Sequence, residues 1–71
     1  MLLNVADRNG PGTARGVAVA DLGATVAPWY PGATPEVAAA LQRLQSLADA
    51  GRWEAVDEYA VFLGLDIQIV N

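Results

Sequence analysis

The side chains that could do acid–base or metal chemistry here are carboxylates, because the sequence contains no His and no Cys. The densest group is Glu54, Asp57 and Glu58, whose spacing places them on one face of a predicted helix. A calcium site takes about six to eight oxygen ligands. General acid–base catalysis needs a carboxyl group in a pocket that shifts its pKa. A chain of 71 residues has little room for such a pocket, so we interpret the group as a solvated helix face.

Nucleophilic and phosphate chemistry are not favoured either. With no His, Cys or Lys, Ser46 and the threonines have no base to activate them. The glycine-rich residues 10–16 resemble a phosphate loop only superficially, because the Lys-Ser/Thr ending and the dinucleotide spacing are missing. We therefore predict that the chain is not an enzyme, and we assign no catalytic, cofactor-binding or metal-binding residue.

Charge and hydropathy narrow the expected partners. The net charge is −4 with four basic residues, all Arg, so the basic stripe that binds nucleic acid is absent. The longest apolar run, residues 59–65, is far short of the roughly 20 residues that a membrane span requires. The first residues lack the features of a secretory signal. We expect a protein of the cytoplasm or of a virion, with neither nucleic acid nor membrane as a partner.

The length predicts one small domain over residues 1–71. A chain this short buries only about 60% of its unfolded surface, and small domains usually add disulfides, a metal or oligomerisation. Without Cys or His, disulfides and a zinc site are excluded. Close packing or a protein partner remains as the source of additional stability.

Two helices joined at Gly51 form the predicted centre of the fold. Thr34 and Pro35 are typical N-cap and first-turn residues, and Gly51 and Gly64 are typical helix ends. The apolar spacing between these signals predicts helices over residues 34–50 and 52–63.

Short strands are predicted over residues 2–6, 16–21 and 66–70, where apolar residues alternate. For residues 16–26 an Ala-rich helix with Val19, Leu22 and Val26 on one face is the alternative; Gly16 and Gly23 favour the strand. The predicted fold class is α+β: a β-β-α-α-β domain with a helical hairpin packed on a short, mostly antiparallel sheet.

Residues 47–65, with AGRWEA at 50–55, resemble part of a tetratricopeptide repeat. A solenoid needs about three copies of its repeat, and this segment occurs once. We interpret it as an ordinary helical hairpin.

Two groups of residues are candidates for contact with a partner. Trp29 and Tyr30 either complete the core or anchor an interface, since Trp and Tyr are frequent in binding hot spots. Val61 follows Glu54, Asp57 and Glu58 on the same helix face, which predicts an apolar contact surface there. The candidate interface residues are Trp29, Tyr30, Val61, Phe62, Leu65, Ile67 and Ile69.

These features favour a structural or protein-interaction subunit that self-associates or docks on a larger assembly, such as a phage particle or a multi-subunit complex. Its strands near both ends of the sequence could pair with another chain. The alternative is a small acidic regulator or inhibitor that binds one protein target.

Overall fold

A computed structural model describes residues 1–32 and 34–70 of the chain. The strands are β1 (Leu2–Asp7), β2 (Thr13–Ala18) and β3 (Leu65–Val70), and the helices are α1 (Leu22–Val26), α2 (Pro35–Asp49) and α3 (Trp53–Leu63). Short 3-10 turns at Val19–Asp21 and Ala27–Trp29 flank α1. The strands form an antiparallel sheet in the order β2-β1-β3. The predicted α+β class and antiparallel sheet are confirmed.

The helical hairpin begins and ends where local signals predict it. The Thr34 hydroxyl oxygen accepts a hydrogen bond from the Val37 N–H at 3.3 Å, which satisfies one free donor of the first turn of α2. Gly51 follows α2 with φ 72°, and Gly64 ends α3 with φ 75°. These left-handed conformations are easily adopted only by glycine. The predicted bounds were 34–50 and 52–63. Three of the four observed helix ends differ from these by one residue, and the end at Leu63 is the same.

The prediction of a strand over residues 16–21 is wrong in position. The strand occupies 13–18, and helical turns follow from Val19 to Trp29. Ala33 lies outside the described residues. Leu22 and Val26 are both fully buried, so one helical face enters the core. The helical alternative is therefore correct for residues 19–26.

Residues 10–16, which superficially resemble a phosphate loop in sequence, divide between the β1–β2 turn and β2 itself. The turn is closed by a hydrogen bond from the Asp7 N–H to the Gly12 carbonyl at 2.8 Å, and the Asn9 N–H donates to Asp7 Oδ1 at 2.9 Å. This segment is a hairpin connection.

The core lies between the helices and one face of the sheet. Leu3 and Val5 of β1 are buried on this face, whereas Asp66 and Gln68 of β3 are exposed on the other. Its buried members are Leu3, Val5, Val17, Leu22, Val26, Ala40, Leu41, Leu44, Leu47, Ala48, Val56, Ala60, Leu63 and Leu65. The sheet therefore has a helix-covered inner face and an open outer face.

Candidate functional site

Trp29 and Tyr30 make contacts within the chain. The Trp29 ring lies so close to Gly12 that a Cβ there would be 2.9 Å from Trp29 Cδ2. The Tyr30 hydroxyl donates a hydrogen bond to the Leu63 carbonyl at 2.7 Å. Both side chains are half-buried against the core. This arrangement favours the core alternative for both residues.

The environment of Tyr30 keeps its hydroxyl protonated. Partial burial raises the pKa of the Tyr30 hydroxyl above its ordinary value, and the negative charge of Asp7 raises this pKa further. A protonated hydroxyl is the form that can donate to Leu63, at the last residue of α3. The hydrogen bond thus joins residue 30 to the end of α3.

Two large apolar side chains stand exposed at the C-terminal end of α3. Val61 is 62% exposed and Phe62 is 70% exposed. Val56 and Ala60 occupy the buried side of the same helix, and Phe62 lines a shallow depression next to Tyr59. We call Val61 and Phe62 the helix patch.

The predicted contact residues on β3 do not all face solvent. Leu65 is fully buried in the core, so its assignment to the interface is wrong: its side chain has no surface to offer a partner. Ile67 is half-buried against the core, and Ile69 is 44% exposed. Ile69 lies about 13 Å along the strand from Leu65, at about 3.3 Å per residue. Because α3 ends where β3 begins, the helix patch and Ile69 lie toward opposite ends of β3.

Backbone hydrogen bonds show which groups of β3 face outward. The Asp7 N–H donates to Gly12, on the β2 side, and the Arg8 N–H donates to the Gly64 carbonyl at 2.8 Å, on the β3 side. The direction alternates along an antiparallel strand. The β1 residues paired with Asp66, Gln68 and Val70 therefore hydrogen-bond to β3.

It follows that Ile67 and Ile69 point their N–H and C=O groups away from β1. Within the described residues β3 has β1 as its one neighbour in the sheet. These groups therefore form an open hydrogen-bonding edge, which we call the β3 edge.

The opposite edge of the sheet, formed by β2, is interrupted. Leu3 pairs with Val17, and Val5 pairs with Ala14. Arg15 and Gly16 of β2 therefore both lie opposite one residue of β1, Asn4. This is a β-bulge, and Gly16 adopts a left-handed φ of 68°, which glycine takes without steric cost. A bulge and a charged residue are two devices by which edge strands avoid pairing with other chains. The pairing of β3 with β1 is continuous from Leu65 to Val70.

Charge is unevenly divided along the chain. Residues 53–70 contain Glu54, Asp57, Glu58 and Asp66 and no basic residue. The four Arg and the other four carboxylates all lie in residues 1–52 and cancel, so the net charge of −4 belongs to the α3–β3 segment. All four carboxylates of this segment are on exposed residues. In space, however, Arg52 lines one surface depression with Glu54 and Glu58, and Arg15 lines another with Asp66.

In residues 1–32 and 34–70, no group of three or more His, Cys, Asp or Glu side chains is placed to hold a metal ion. None of the helices in this described part of the chain has the length and apolar character needed to cross a membrane.

Comparison with known proteins gives no relative: no family model, no curated protein and no solved structure matches the chain. A functional assignment therefore depends on the residues and geometry described above.

Proposed function

We propose that the chain is a non-enzymatic protein-interaction subunit that acts by association, either with itself or by docking on a larger assembly. The observation that carries the proposal is the exposure of Val61 and Phe62, 62% and 70%, side by side on one helix. Phe is among the aromatic residues enriched at the centres of protein interfaces. Covering a Val or Phe side chain fully contributes about 1.5–3 kcal/mol, so burial of this patch by a partner would be favourable.

The helix patch is held on a supported element. The carbonyl of Gly64, directly after α3, accepts a hydrogen bond from the Arg8 N–H, and the carbonyl of Leu63 accepts one from the Tyr30 hydroxyl. Val56, Ala60 and Leu63 fix the opposite side of the helix in the core. A surface that is already ordered loses less conformational entropy when it binds.

The acidic regulator is the second candidate, and the charge distribution favours it specifically. All of the net negative charge lies on the segment that carries the helix patch. Net negative charge on this segment would favour encounter with a basic target. We propose no catalytic role for these carboxylates, because Glu54, Asp57 and Glu58 are exposed, whereas a general acid or base usually depends on a pKa shifted by burial or by neighbouring charges.

The proposal is tested with a photo-crosslinking amino acid at position 62, introduced into the chain in its source cells. The matched control carries the same group at Arg43, an exposed position on α2. We expect a discrete crosslinked product from position 62 and not from position 43. The product is expected to disappear when Val61→Glu is added. Circular dichroism checks that this variant still folds, which we expect because Val61 is exposed.

Light scattering over a concentration series then separates self-association from docking on another protein. A monomer at all concentrations, together with equal crosslinking from positions 62 and 43, would contradict the proposal.

A further inference from the structure

We infer that Asn9 is a site of spontaneous modification: its side-chain amide is hydrolysed to a carboxylate through attack by the backbone nitrogen of Gly10, with water as the co-reactant. Asn9 and Gly10 are adjacent exposed residues of the β1–β2 turn. Glycine has no Cβ to hinder the approach of its nitrogen to the preceding side chain, and its backbone is the most adaptable. The inference does not depend on the proposed function.

The hydrogen bonds of the turn leave both reacting groups free. The Asp7 N–H donates to the Gly12 carbonyl at 2.8 Å, and the Asn9 N–H donates to Asp7 Oδ1 at 2.9 Å. Within residues 1–32 and 34–70, no hydrogen bond engages the Gly10 N–H or the Asn9 side-chain amide. The attacking nitrogen and the amide that it attacks are therefore not held by competing partners.

The reaction balances with water alone. The Gly10 nitrogen gives up its proton and forms a bond to Asn9 Cγ, and the bond from Cγ to Nδ2 breaks, so that Nδ2 leaves as ammonia. Water then adds to one of the two carbonyl carbons of the resulting succinimide ring and opens its bond to nitrogen. Opening at Cγ gives aspartate, and opening at the backbone carbonyl gives isoaspartate, whose main chain runs through the side-chain carbon. No group is oxidised or reduced.

Asn4 is an internal control with the opposite environment. It lies in β1 and is half-buried, and its Oδ1 accepts a hydrogen bond from the Gly16 N–H at 3.1 Å. The next residue is Val5, which has a stiff, branched side chain and pairs with strands on both sides. Asn4 should therefore persist under conditions in which Asn9 reacts.

Conversion of Asn9 would place a carboxylate at the junction of α3 and β3. A Cβ built on Gly64, where α3 ends, would lie 2.9 Å from Asn9 Nδ2. The C-terminal end of a helix carries partial negative charge, and the Asp7 carboxylate lies in the same turn. Arg8 is exposed, so solvent screens its positive charge. The new charge should therefore weaken the hydrogen bond from the Arg8 N–H to the Gly64 carbonyl.

The test incubates the purified full chain at physiological temperature and slightly alkaline pH. Mass spectrometry with electron-transfer fragmentation locates the conversion and separates aspartate from isoaspartate. We expect conversion at Asn9 to be faster than at Asn4 by about tenfold or more, a difference of at least about 1.4 kcal/mol in activation free energy. Equal rates at the two residues, or no conversion at Asn9, would overturn the inference.

The same measurement on the chain unfolded in guanidinium chloride tests whether the fold leaves Asn9 free to react. We expect the rate at Asn9 to change by less than about tenfold on unfolding. A larger slowing in the folded chain would show that the turn protects Asn9, and the structural argument would then fail.

Two variants test the chemistry. Gly10→Ala keeps Asn9 and should slow its conversion, because a methyl group hinders the attacking nitrogen. A Cβ at Gly10 would lie 2.9 Å from Asp7 Oδ2, the end of a side chain that can rotate aside, and Gly10 is not among the glycines with positive φ, so the variant should fold. Asn9→Gln keeps the amide but requires a larger ring, and it should not convert. Equal conversion in the wild-type chain and Gly10→Ala would contradict the attack by Gly10.

Hydrogen exchange at the Arg8 amide measures the effect on the α3–β3 junction. Exchange should be faster in Asn9→Asp, and in the aged wild-type chain, than in the fresh wild-type chain. Aged Asn9→Gln is the control and should match its fresh sample. Unchanged exchange at Arg8 in both Asn9→Asp and the aged wild-type chain would overturn the predicted effect on the junction. Crosslinking at position 62 tests the proposed function separately.

Discussion

Replacing Tyr30 by Phe removes one hydroxyl group and leaves the half-buried ring in place. The hydroxyl donates to the Leu63 carbonyl at 2.7 Å. A single intramolecular hydrogen bond contributes about 0.5–1.5 kcal/mol. The carbonyl belongs to the last turn of α3, where no intrahelical donor remains for it. We therefore expect Tyr30→Phe to lower the free energy of unfolding by about 1 kcal/mol, which for a domain of this size lowers Tm by about 4–8 °C.

The size of this loss should depend on pH. The pKa of the Tyr30 hydroxyl is raised in the folded chain, chiefly by burial and also by Asp7. Its protonated form therefore stabilises the fold fully below the unfolded pKa of about 10. As pH rises above that value the unfolded chain loses the proton first, and this stabilisation decreases until the folded pKa is passed. The difference between the wild-type chain and Tyr30→Phe should narrow over the same range.

Urea unfolding followed by circular dichroism, at neutral pH and at a pH above 10, measures both effects. The chain contains two Tyr, no Cys and no Lys, so few side chains titrate in this range. Tyr59→Phe is the control, since Tyr59 is the other tyrosine and is also half-buried. Equal stability of Tyr30→Phe and wild type at neutral pH would refute the contribution of the hydrogen bond. A difference that stays constant above pH 10 would refute its link to the proton.

Substitutions at three further positions test the packing and the turns, two of the positions by chemical denaturation and the third by amide exchange. Leu44→Ala should lower the free energy of unfolding by about 2–5 kcal/mol because Leu44 is fully buried; an unchanged midpoint would contradict this. Gly51→Val should cost about 1–2 kcal/mol from backbone strain alone, because φ is 72° and a Cβ there meets no atom within 4 Å; Gly51→Asn should cost less. Gln45→Ala removes hydrogen bonds to the Gly23 N–H and the Val19 carbonyl, so amide exchange should accelerate in residues 19–26 and not in α3.

The helical hairpin could be predicted from sequence because its ends are set by local chemistry. Thr34 caps α2 with its own hydroxyl, and Gly51 and Gly64 adopt conformations that other residues rarely take. Each signal acts over a few residues, so it can be read without knowledge of the rest of the fold.

Residues 13–29 could not be predicted in the same way, because distant contacts determine their structure. β2 begins at Thr13, which pairs with Ala6 of β1, and its pairing with β1 continues beyond a bulge. The helical turns that follow are held by Gln45, whose side chain accepts from the Gly23 N–H at 2.7 Å and donates to the Val19 carbonyl at 2.9 Å. In the sequence Gln45 is one of several polar residues on the outer face of a helix, and nothing local marks it as a contact of α1.

Of the candidate contact surface, too, one part could be predicted from the sequence and another part could not. Exposure of Val61 follows from its place on a helix face that is otherwise acidic, and the absence of basic residues after Arg52 is visible in the sequence. The burial of Leu65 and the outward direction of the Ile67 backbone depend instead on strand order, which places β1 between β2 and β3. This order makes β3, which belongs to the α3–β3 segment, the edge strand whose pairing is uninterrupted.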